Sequence, residues 1–517
     1  MQQIKTLIIP ITLVIFSFLI NFIYSSKGVL PIDTFAHFDT GFRLTQGEIP
    51  FKDYWTTSGL FIDIFQFFLF NLFGISWSSY IINGSIINAL LTLFLFFFLK
   101  EINIKTGYAF FYSICFSILA NPSIGTPFVD HYSAFFSLLS VIFFLLAVKK
   151  NNFYFWYFIP IFLFLGFFSK QTPSGYIFLL MIFNLAFYTF TNKKSKWIKP
   201  ILAGTLTCLI IFVKLIFLNE IDIKQFLIQY FFFPSTIGEL RFEKLEFSLK
   251  RIVFDFKFIH ILLLPLIILI IKNILNKKSK IFLIILNLNF IILSLFFIFH
   301  QILTWNFIFI FFLIPILAAV IHSNFILLYS NKDFLKYFVI AICIIGTLKF
   351  HFRFNEERKF INLEGIDINN FEKAEIIDNK LKGLKWITMN YPDNPKNEIK
   401  FIKKSLKIIQ HEQKSLMFIG NYQFFSSILN KKTNAPNRWY ATGVSHPTKQ
   451  NRYYKEYINF VKNLIIKKKI EVIYLHQPVK NQHLDIIQDA IKTISKKCDN
   501  STRETNEFVI VDIKNCH

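Results

Sequence analysis

Three side chains in a short polar stretch, Asp33, His37 and Asp39, have the types and spacing needed for acid–base chemistry. If a helix begins at Asp33, then Asp33 and His37 lie four residues apart on one face, and Asp39 lies about 120° from that face. A carboxylate beside an imidazole is suited to removing a proton from a hydroxyl group. A carboxylate at a helix start is also an ordinary N-cap, so the stretch has a structural interpretation as well.

The composition around this stretch is that of a polytopic membrane protein. Hydrophobic residues make up 54% of the 517 residues, 70 residues are Phe, and the mean hydropathy is positive, which excludes an ordinary soluble domain. A net charge of +24 would suggest nucleic acid as a partner of a soluble chain. Here the lysines must first be placed relative to a membrane, so we predict no nucleic-acid partner and a multi-pass location in the cell (inner) membrane.

Eleven apolar runs predict spans of the bilayer, for which about 17 to 25 residues suffice, and several of the runs are short. They lie at residues 6–24, 79–99, 107–120, 131–148, 153–168, 175–191, 200–218, 258–271, 281–299, 304–322 and 335–350. The further run 59–74 is interrupted by Asp63, Gln66 and Asn71. This pattern favours an amphipathic helix at the membrane interface over a span.

The lysines predict the orientation of these spans. With a cytoplasmic N-terminus, the predicted cytoplasmic loops contain only two acidic residues, Glu101 and Asp333, against fifteen lysines: Lys5, Lys100, Lys105, Lys149, Lys150, Lys193, Lys194, Lys196, Lys199, Lys272, Lys277, Lys278, Lys280, Lys332 and Lys336. Such a positive-inside pattern places the alternate loops outside. The polar loops at 25–58 and 219–257 then lie on the outer side.

A polar composition after residue 350 predicts a second domain. Residues 1–350 form the transmembrane domain, with a first external loop at 25–78, and residues 351–517 form a small extracytoplasmic α/β domain. Its predicted strands are 416–420, 470–475 and 508–512, and its predicted helices include 453–468 and 483–497. The predicted fold class is an α-helical polytopic membrane protein of about eleven transmembrane helices with a small C-terminal α/β domain.

Two cations on the outer side are candidates for binding a phosphate group. Lys170 ends an apolar run as a point charge, and Arg241 offers a planar fork of donors. The structural alternatives are a lysine that snorkels to the interface, and an arginine on a solvated face that also carries Glu239.

Five further residues on the outer side are candidate substrate contacts: Asp130, His131, Glu239, His300 and Trp305. A polar pair at a helix start is also a common cap, and a Trp at a membrane interface is often an anchor. We find no Gly-rich phosphate loop and no Cys/His spacing typical of a metal site. Cys498 and Cys516 are suitably placed for a disulfide in an oxidising compartment.

Residues 1 to 100 carry a pattern that extends beyond single residues. An apolar span is followed by Asp33, Ala36, Gly47-x-x-Pro50-x-x-Asp53-Tyr54, an interfacial helix that ends in Leu72-Phe73-Gly74, and a second span. This pattern resembles the start of the GT-C superfamily of integral-membrane glycosyltransferases. The similarity is to the branch of the dolichyl-phosphate-mannose protein mannosyltransferases and the lipid A aminoarabinose transferase.

The resemblance implies a hexosyl- or pentosyltransferase that uses a polyprenyl-phosphate sugar donor and a cell-envelope glycan, lipid or protein acceptor. It also implies that Asp33 is the catalytic base, although relatives commonly have Asp-Glu where this chain has Asp33-Thr34. Asp39 therefore stays an alternative base, with His37 beside it. Direct attack inverts the anomeric carbon, and Lys170 and Arg241 would hold the departing phosphate. No cofactor is predicted, but a divalent cation that bridges Asp33, Asp39 and the phosphate stays an option.

Two other classes of protein compete with the glycosyltransferase. A lipid-linked sugar flippase or transporter would show charged residues near the middle of several spans, whereas this chain gathers them at one side. A glycan polymerase or ligase would use a long late loop, and loop 219–257 is long enough for that role.

Overall fold

Helices form wherever the sequence is continuously apolar. The computed structural model describes residues 2–192, 195–246, 248–275, 281–328, 333–479, 481–494 and 498–514. In chain order the helices are α1 (Gln2–Tyr24), α2 (Pro31–Thr34), α3 (Ala36–Thr45), α4 (Leu60–Phe73), α5 (Trp77–Glu101), α6 (Thr106–Ala120), α7 (Val129–Lys150), α8 (Phe153–Ser169), α9 (Gln171–Asn192), α10 (Ile198–Leu218), α11 (Ile223–Leu227), α12 (Phe233–Glu243), α13 (Lys257–Leu275), α14 (Ile281–Thr304), α15 (Leu313–Leu328), α16 (Asp333–His351), α17 (Pro395–His411), α18 (Phe425–Leu429), α19 (Tyr454–Lys467) and α20 (Asn481–Lys492).

Strands are confined to the C-terminal part of the chain. They are β1 (Glu372–Lys373), β2 (Lys385–Trp386), β3 (Leu416–Ile419), β4 (Val472–His476), β5 (Asp499–Glu504) and β6 (Phe508–Lys514). The last four form a sheet in the order β3-β4-β6-β5, in which β3 and β4 are parallel and the other pairs are antiparallel. The three strands predicted from sequence are confirmed, as is the helix at 453–468. The predicted helix at 483–497 begins as α20, and its residues 495–497 lie outside the described part of the chain.

Each of the eleven predicted spans contains a helix. Among the described residues, eight helices have the length and hydropathy to cross a bilayer: α1, α5, α7, α9, α10, α13, α14 and α16. Several long apolar helices of this kind are consistent with a membrane protein. The helices α6, α8 and α15 are apolar but shorter, so the count of eleven stays a prediction.

The run 304–322 differs from its prediction, because α15 begins only at Leu313. The side-chain oxygen of Gln301 accepts hydrogen bonds from the backbone N–H groups of Ile308 and Phe309, each at 3.0 Å. Trp305 and Phe307 adopt positive φ angles of 60° and 52°. These contacts fold the first part of the run into a non-helical turn, although the residues are apolar.

The chain divides into two compact units. One contains Met1–Ser26, Ile81–Val213 and Lys244–Phe360, and the other contains Lys27–Tyr80, Lys214–Glu243 and Ile361–His517. The first unit is a bundle of apolar helices in which α7 is buried along almost its whole length. The second unit joins the predicted first external loop to the C-terminal sheet.

Trp55 shows how that loop is held in the second unit. Its side chain is buried in one hydrophobic cluster with residues of β4, β6, α19 and α20. The Trp55 ring lies 5.2 Å from Tyr457 and 5.7 Å from Phe460. Burial of a Trp side chain is worth several kcal/mol, on the order of 3 to 5 when it is truncated to Ala. The loop is therefore part of the core of this unit.

The helix α4 forms where the amphipathic helix was predicted, but with its polar side inward. Asp63 and Gln66 are fully buried, whereas Phe68, Leu72 and Phe73 are exposed. Exposed aromatic and aliphatic side chains on one helix face suit a lipid interface. The buried polar face positions Asp63 for the contacts described below.

Candidate functional site

The polar stretch that begins at Asp33 is two helices rather than one. The short α2 ends at Thr34, and α3 starts at Ala36 after a break at Phe35, whose φ and ψ are −104° and 2°. Phe35 is fully buried, and its ring lies 4.4 Å from that of Phe424. This packing breaks the helix, so Asp33 and His37 do not share one continuous helical face.

Asp33 lies on a turn that is fixed at both ends. Before it, the backbone N–H of Gly28 donates to the carbonyl of Lys385 at 3.0 Å. Gly28 has φ of +76°, a backbone conformation in which another residue would be strained. After it, the Tyr80 hydroxyl donates to the carbonyl of Thr34 at 2.9 Å. Asp33 itself is a partly exposed residue.

His37 is paired with a carboxylate that the sequence did not assign to it. Its Nδ1 lies 2.6 Å from Oδ1 of Asp63, and the hydroxyl of Thr40 donates to the same oxygen at 2.5 Å. Arg438 lies 4.0 Å from the other oxygen and donates to the carbonyl of Ser58. Burial lowers the pKa of His37, and the Asp63 charge opposes this shift only partly. His37 is therefore a buried, neutral imidazole at pH 7.

Asp39 is buried in a second group of charges, with a relative exposure of 1%. Its Oδ1 accepts a hydrogen bond from Ser426, and its Oδ2 lies 4.0 Å from Arg43. Arg43 also donates to Glu48 at 2.6 Å and stacks 4.2 Å from the centre of the Tyr54 ring. Burial raises the pKa of Asp39 to about 7, although the Arg43 charge opposes the shift. The geometry encloses Asp39 within protein.

The motif residues between Gly47 and Tyr54 form a tight turn that anchors the loop. Gly47 has φ of +74°, and the side chain of Asp53 accepts a hydrogen bond from the backbone N–H of Ile49 at 3.0 Å. Asp53 also pairs with Lys468 at 2.8 Å. The next residue, Trp55, donates its backbone N–H to the carbonyl of Pro436. These residues therefore have a structural explanation independent of catalysis.

Three of the predicted residues meet in the first unit. The ammonium group of Lys170 lies 2.7 and 2.8 Å from the two carboxylate oxygens of Asp130, and Nε2 of His300 lies 3.6 Å from the same carboxylate. Asp130 lies in the first turn of α7, Lys170 separates α8 from α9, and His300 is near the end of α14. A phosphate that binds Lys170 would have to compete with the Asp130 carboxylate for the ammonium group.

His131 and Trp305 lie outside this cluster, although they belong to the same unit. The ring of His131 is buried 4.6 Å from that of Phe309. Trp305 is 46% exposed and stacks 4.1 Å below the guanidinium of Arg251. His131 thus packs among aromatic side chains, and Trp305 holds a cation at the surface.

The remaining two predicted residues lie on α12 in the second unit. Glu239 is exposed and pairs with Arg452 at 3.1 Å. Arg241 is partly exposed two residues further along the helix. Glu239 therefore belongs to a solvated ion pair.

The described residues contain no group of three or more His, Cys, Asp or Glu side chains placed to hold a metal ion. Cys115, Cys208 and Cys343 are free thiols within the apolar helices. Cys498 is disulfide-bonded, and Cys516 lies outside the residues that the structure describes.

Asp63, Arg438 and Ser426, which lie around His37 and Asp39, were not predicted from the sequence as members of the site. Asp63 could have been found from the sequence, because it interrupts an apolar run. Ser426 lies 387 positions from Asp39, and no local pattern predicts such a contact.

No protein-family model matches the sequence, and no curated protein matches it either.

Proposed function

We propose that the protein is an integral-membrane glycosyltransferase that transfers a sugar from a polyprenyl-phosphate donor to an acceptor of the cell envelope, on the outer face of the membrane. The donor class rests on the resemblance of residues 1 to 100 to the GT-C superfamily. The orientation rests on the lysine distribution.

One observation supports Asp33 as the base in preference to Asp39. Residues 27–80, all of which the structure describes, contain five acidic side chains. Asp39, Glu48, Asp53 and Asp63 are buried, and Asp33 alone is partly exposed. A general base must come within hydrogen-bond reach of the substrate hydroxyl. Of the five residues, Asp33 alone has surface that a substrate could reach without rearrangement of the loop.

The rigid turn around Asp33 suits this role. A base held from both sides, by Gly28 before it and Thr34 after it, loses little freedom when the substrate binds. In the proposed reaction Asp33 takes the proton of the acceptor hydroxyl as the oxygen attacks the anomeric carbon. The bond from that carbon to the phosphate oxygen breaks, and polyprenyl phosphate leaves with the electron pair. Arg241, which belongs to the same unit as Asp33, remains a candidate cation for that phosphate.

The test is transfer by the purified full-length protein in detergent. It would be given radiolabelled polyprenyl-phosphate sugars, one at a time, together with envelope lipids and glycans as acceptors. We expect label to move from the lipid donor to an acceptor. Movement of lipid-linked sugar across vesicles without any transfer would favour the flippase instead.

A further inference from the structure

A cavity of about 430 Å³ opens at one end of the helix bundle of the first unit. It lies between the turn after α5, the end of α7, the start of α14 and the end of α15. Because α5, α7 and α14 are candidate spans, their ends lie at the level where a membrane changes from acyl chains to headgroups. A ligand in this cavity would therefore be at the edge of the bilayer.

The cavity has an apolar floor and a polar rim. Its floor includes Leu283 and Ile285, which are buried. Its rim carries Asn103, Lys149 and Asn151, which are exposed. An apolar floor beneath a cationic, amide-rich rim matches an amphipathic anion better than a fully polar one.

Lys149 supplies the charge of the rim. Its ammonium group donates to the backbone carbonyl of Glu101 and lies 5.8 Å from the centre of the Phe282 ring. The ammonium group of the neighbouring Lys150 forms an ion pair with the Glu101 carboxylate, at 2.6 Å. Among the described residues, no carboxylate oxygen lies close enough to the Lys149 ammonium group, within 4.0 Å, to form an ion pair with it. Lys149 is thus a cation at the cavity mouth whose charge is not neutralised by direct contact.

We propose that this cavity binds an anionic glycerophospholipid of the surrounding membrane. The lipid phosphate accepts hydrogen bonds from Lys149 and from the side-chain amides of Asn103 and Asn151. The first part of an acyl chain covers the floor at Leu283. Pockets of about 300 to 1,000 Å³ hold groups of headgroup size, and basic pockets between transmembrane helices are suited to acidic headgroups. This site is separate from the proposed transfer reaction and does not depend on it.

The test is native mass spectrometry of the full-length protein in neutral detergent. Dioleoyl-phosphatidylglycerol and dioleoyl-phosphatidylcholine would be titrated separately, and the fraction of lipid-bound protein measured. We expect the anionic lipid to bind about fivefold more tightly or better, and Lys149→Gln to weaken its binding about fivefold, since one lysine near a membrane surface is worth roughly that factor. The matched control is Lys105→Gln, which removes an exposed charge from the turn that carries Asn103 without changing a residue of the cavity, and it should change binding by roughly twofold or less.

A second variant keeps the test valid if Lys149→Gln does not fold. Asn151→Asp places a carboxylate at the rim and should also weaken binding of the anionic lipid. Equal binding of the two lipids by the wild type would overturn the site, as would equal losses in Lys149→Gln and Lys105→Gln. Displacement of phosphatidylglycerol by an equal concentration of inorganic phosphate would show a free-anion site rather than a lipid site.

Discussion

Nδ1 of His37 lies 2.6 Å from Oδ1 of Asp63, although the two residues are 26 positions apart. Both side chains are almost completely buried, with exposures of 3% and 0%. The pair joins α3 to α4, and Thr40 donates to the same Asp63 oxygen. Asp63 therefore links two helices of the predicted first external loop, and Asp33 lies outside this buried pair.

Removal of the Asp63 carboxylate should destabilise the protein. In Asp63→Ala, His37 and Thr40 lose a buried acceptor and Arg438 loses its nearby negative charge. We expect a loss of about 3 kcal/mol in the free energy of unfolding. A lowered unfolding temperature in neutral detergent would report it. Glu239→Ala, which breaks the exposed pair with Arg452, should cost less than about 1 kcal/mol. Equal shifts in the two variants would contradict the buried role of Asp63.

The raised pKa of Asp39 predicts a pH dependence of stability. Its carboxyl has a pKa of about 7 in the folded state against an ordinary value of 3.8, so the folded state retains a proton that the unfolded state has lost. The free energy of unfolding should therefore fall by roughly 3 kcal/mol between pH 5 and pH 8 on account of Asp39.

Asp39→Asn isolates this contribution from other titrating groups. Burial lowers the pKa of His37, so the unfolded state takes up a proton there that the folded state does not. The protein therefore loses stability from His37 as the pH falls below about 6.5, whereas Asp39 makes it more stable at low pH. The difference between wild type and Asp39→Asn should follow Asp39 alone, with the variant gaining relative stability as the pH rises. Parallel pH profiles of the unfolding temperature would show that Asp39 is ionised at every pH tested.

Asp130 and Lys170 should be energetically coupled. Either single change, Asp130→Asn or Lys170→Met, removes this ion pair and keeps one mostly buried charge. The double variant removes both charges, so we expect it to be more stable than the sum of the single changes by about 2 kcal/mol. The exposed pair Glu101 and Lys150 is the control, with a coupling below about 0.5 kcal/mol. Additive effects for Asp130 and Lys170 would mean that the ion pair contributes nothing.

Reporter fusions test the predicted topology. A reporter active only outside the cytoplasm should be silent after Lys150 and active after Thr172 and after Asn355. The first pair of positions decides whether α8, with its 17 residues, crosses the membrane. Reporters on the same side at 150 and 172 would remove α8 from the spans and overturn the eleven-span prediction.

The helices were predictable because a bilayer imposes length and hydropathy on the sequence itself. Each predicted span contains a helix for that reason. The break at Phe35 was not predictable, since it depends on packing against Phe424, far away in the chain.

The candidate site was predictable only in part. Charge distribution assigned Asp130, His131, Lys170 and His300 to one side, and three of them meet in the structure. His131 does not join this cluster, because adjacent side chains on a helix point about 100° apart. Its ring instead packs against the aromatic ring of Phe309. The partners of His37 and Asp39 depend on tertiary contacts that sequence spacing does not contain.

The most direct test of the central claim compares sugar transfer by wild type, Asp33→Asn and Asp39→Asn, with Asp485→Asn, at an exposed carboxylate, as the matched surface control. With a donor that the wild type uses, we expect Asp33→Asn to lose roughly 10² to 10⁴ of the transfer rate, because a general base contributes about that factor. Asp39→Asn should keep most of the rate, since the Asp39 side chain is buried against Ser426. Near wild-type transfer by Asp33→Asn, with its unfolding temperature unchanged, would contradict the assignment of Asp33 as the base.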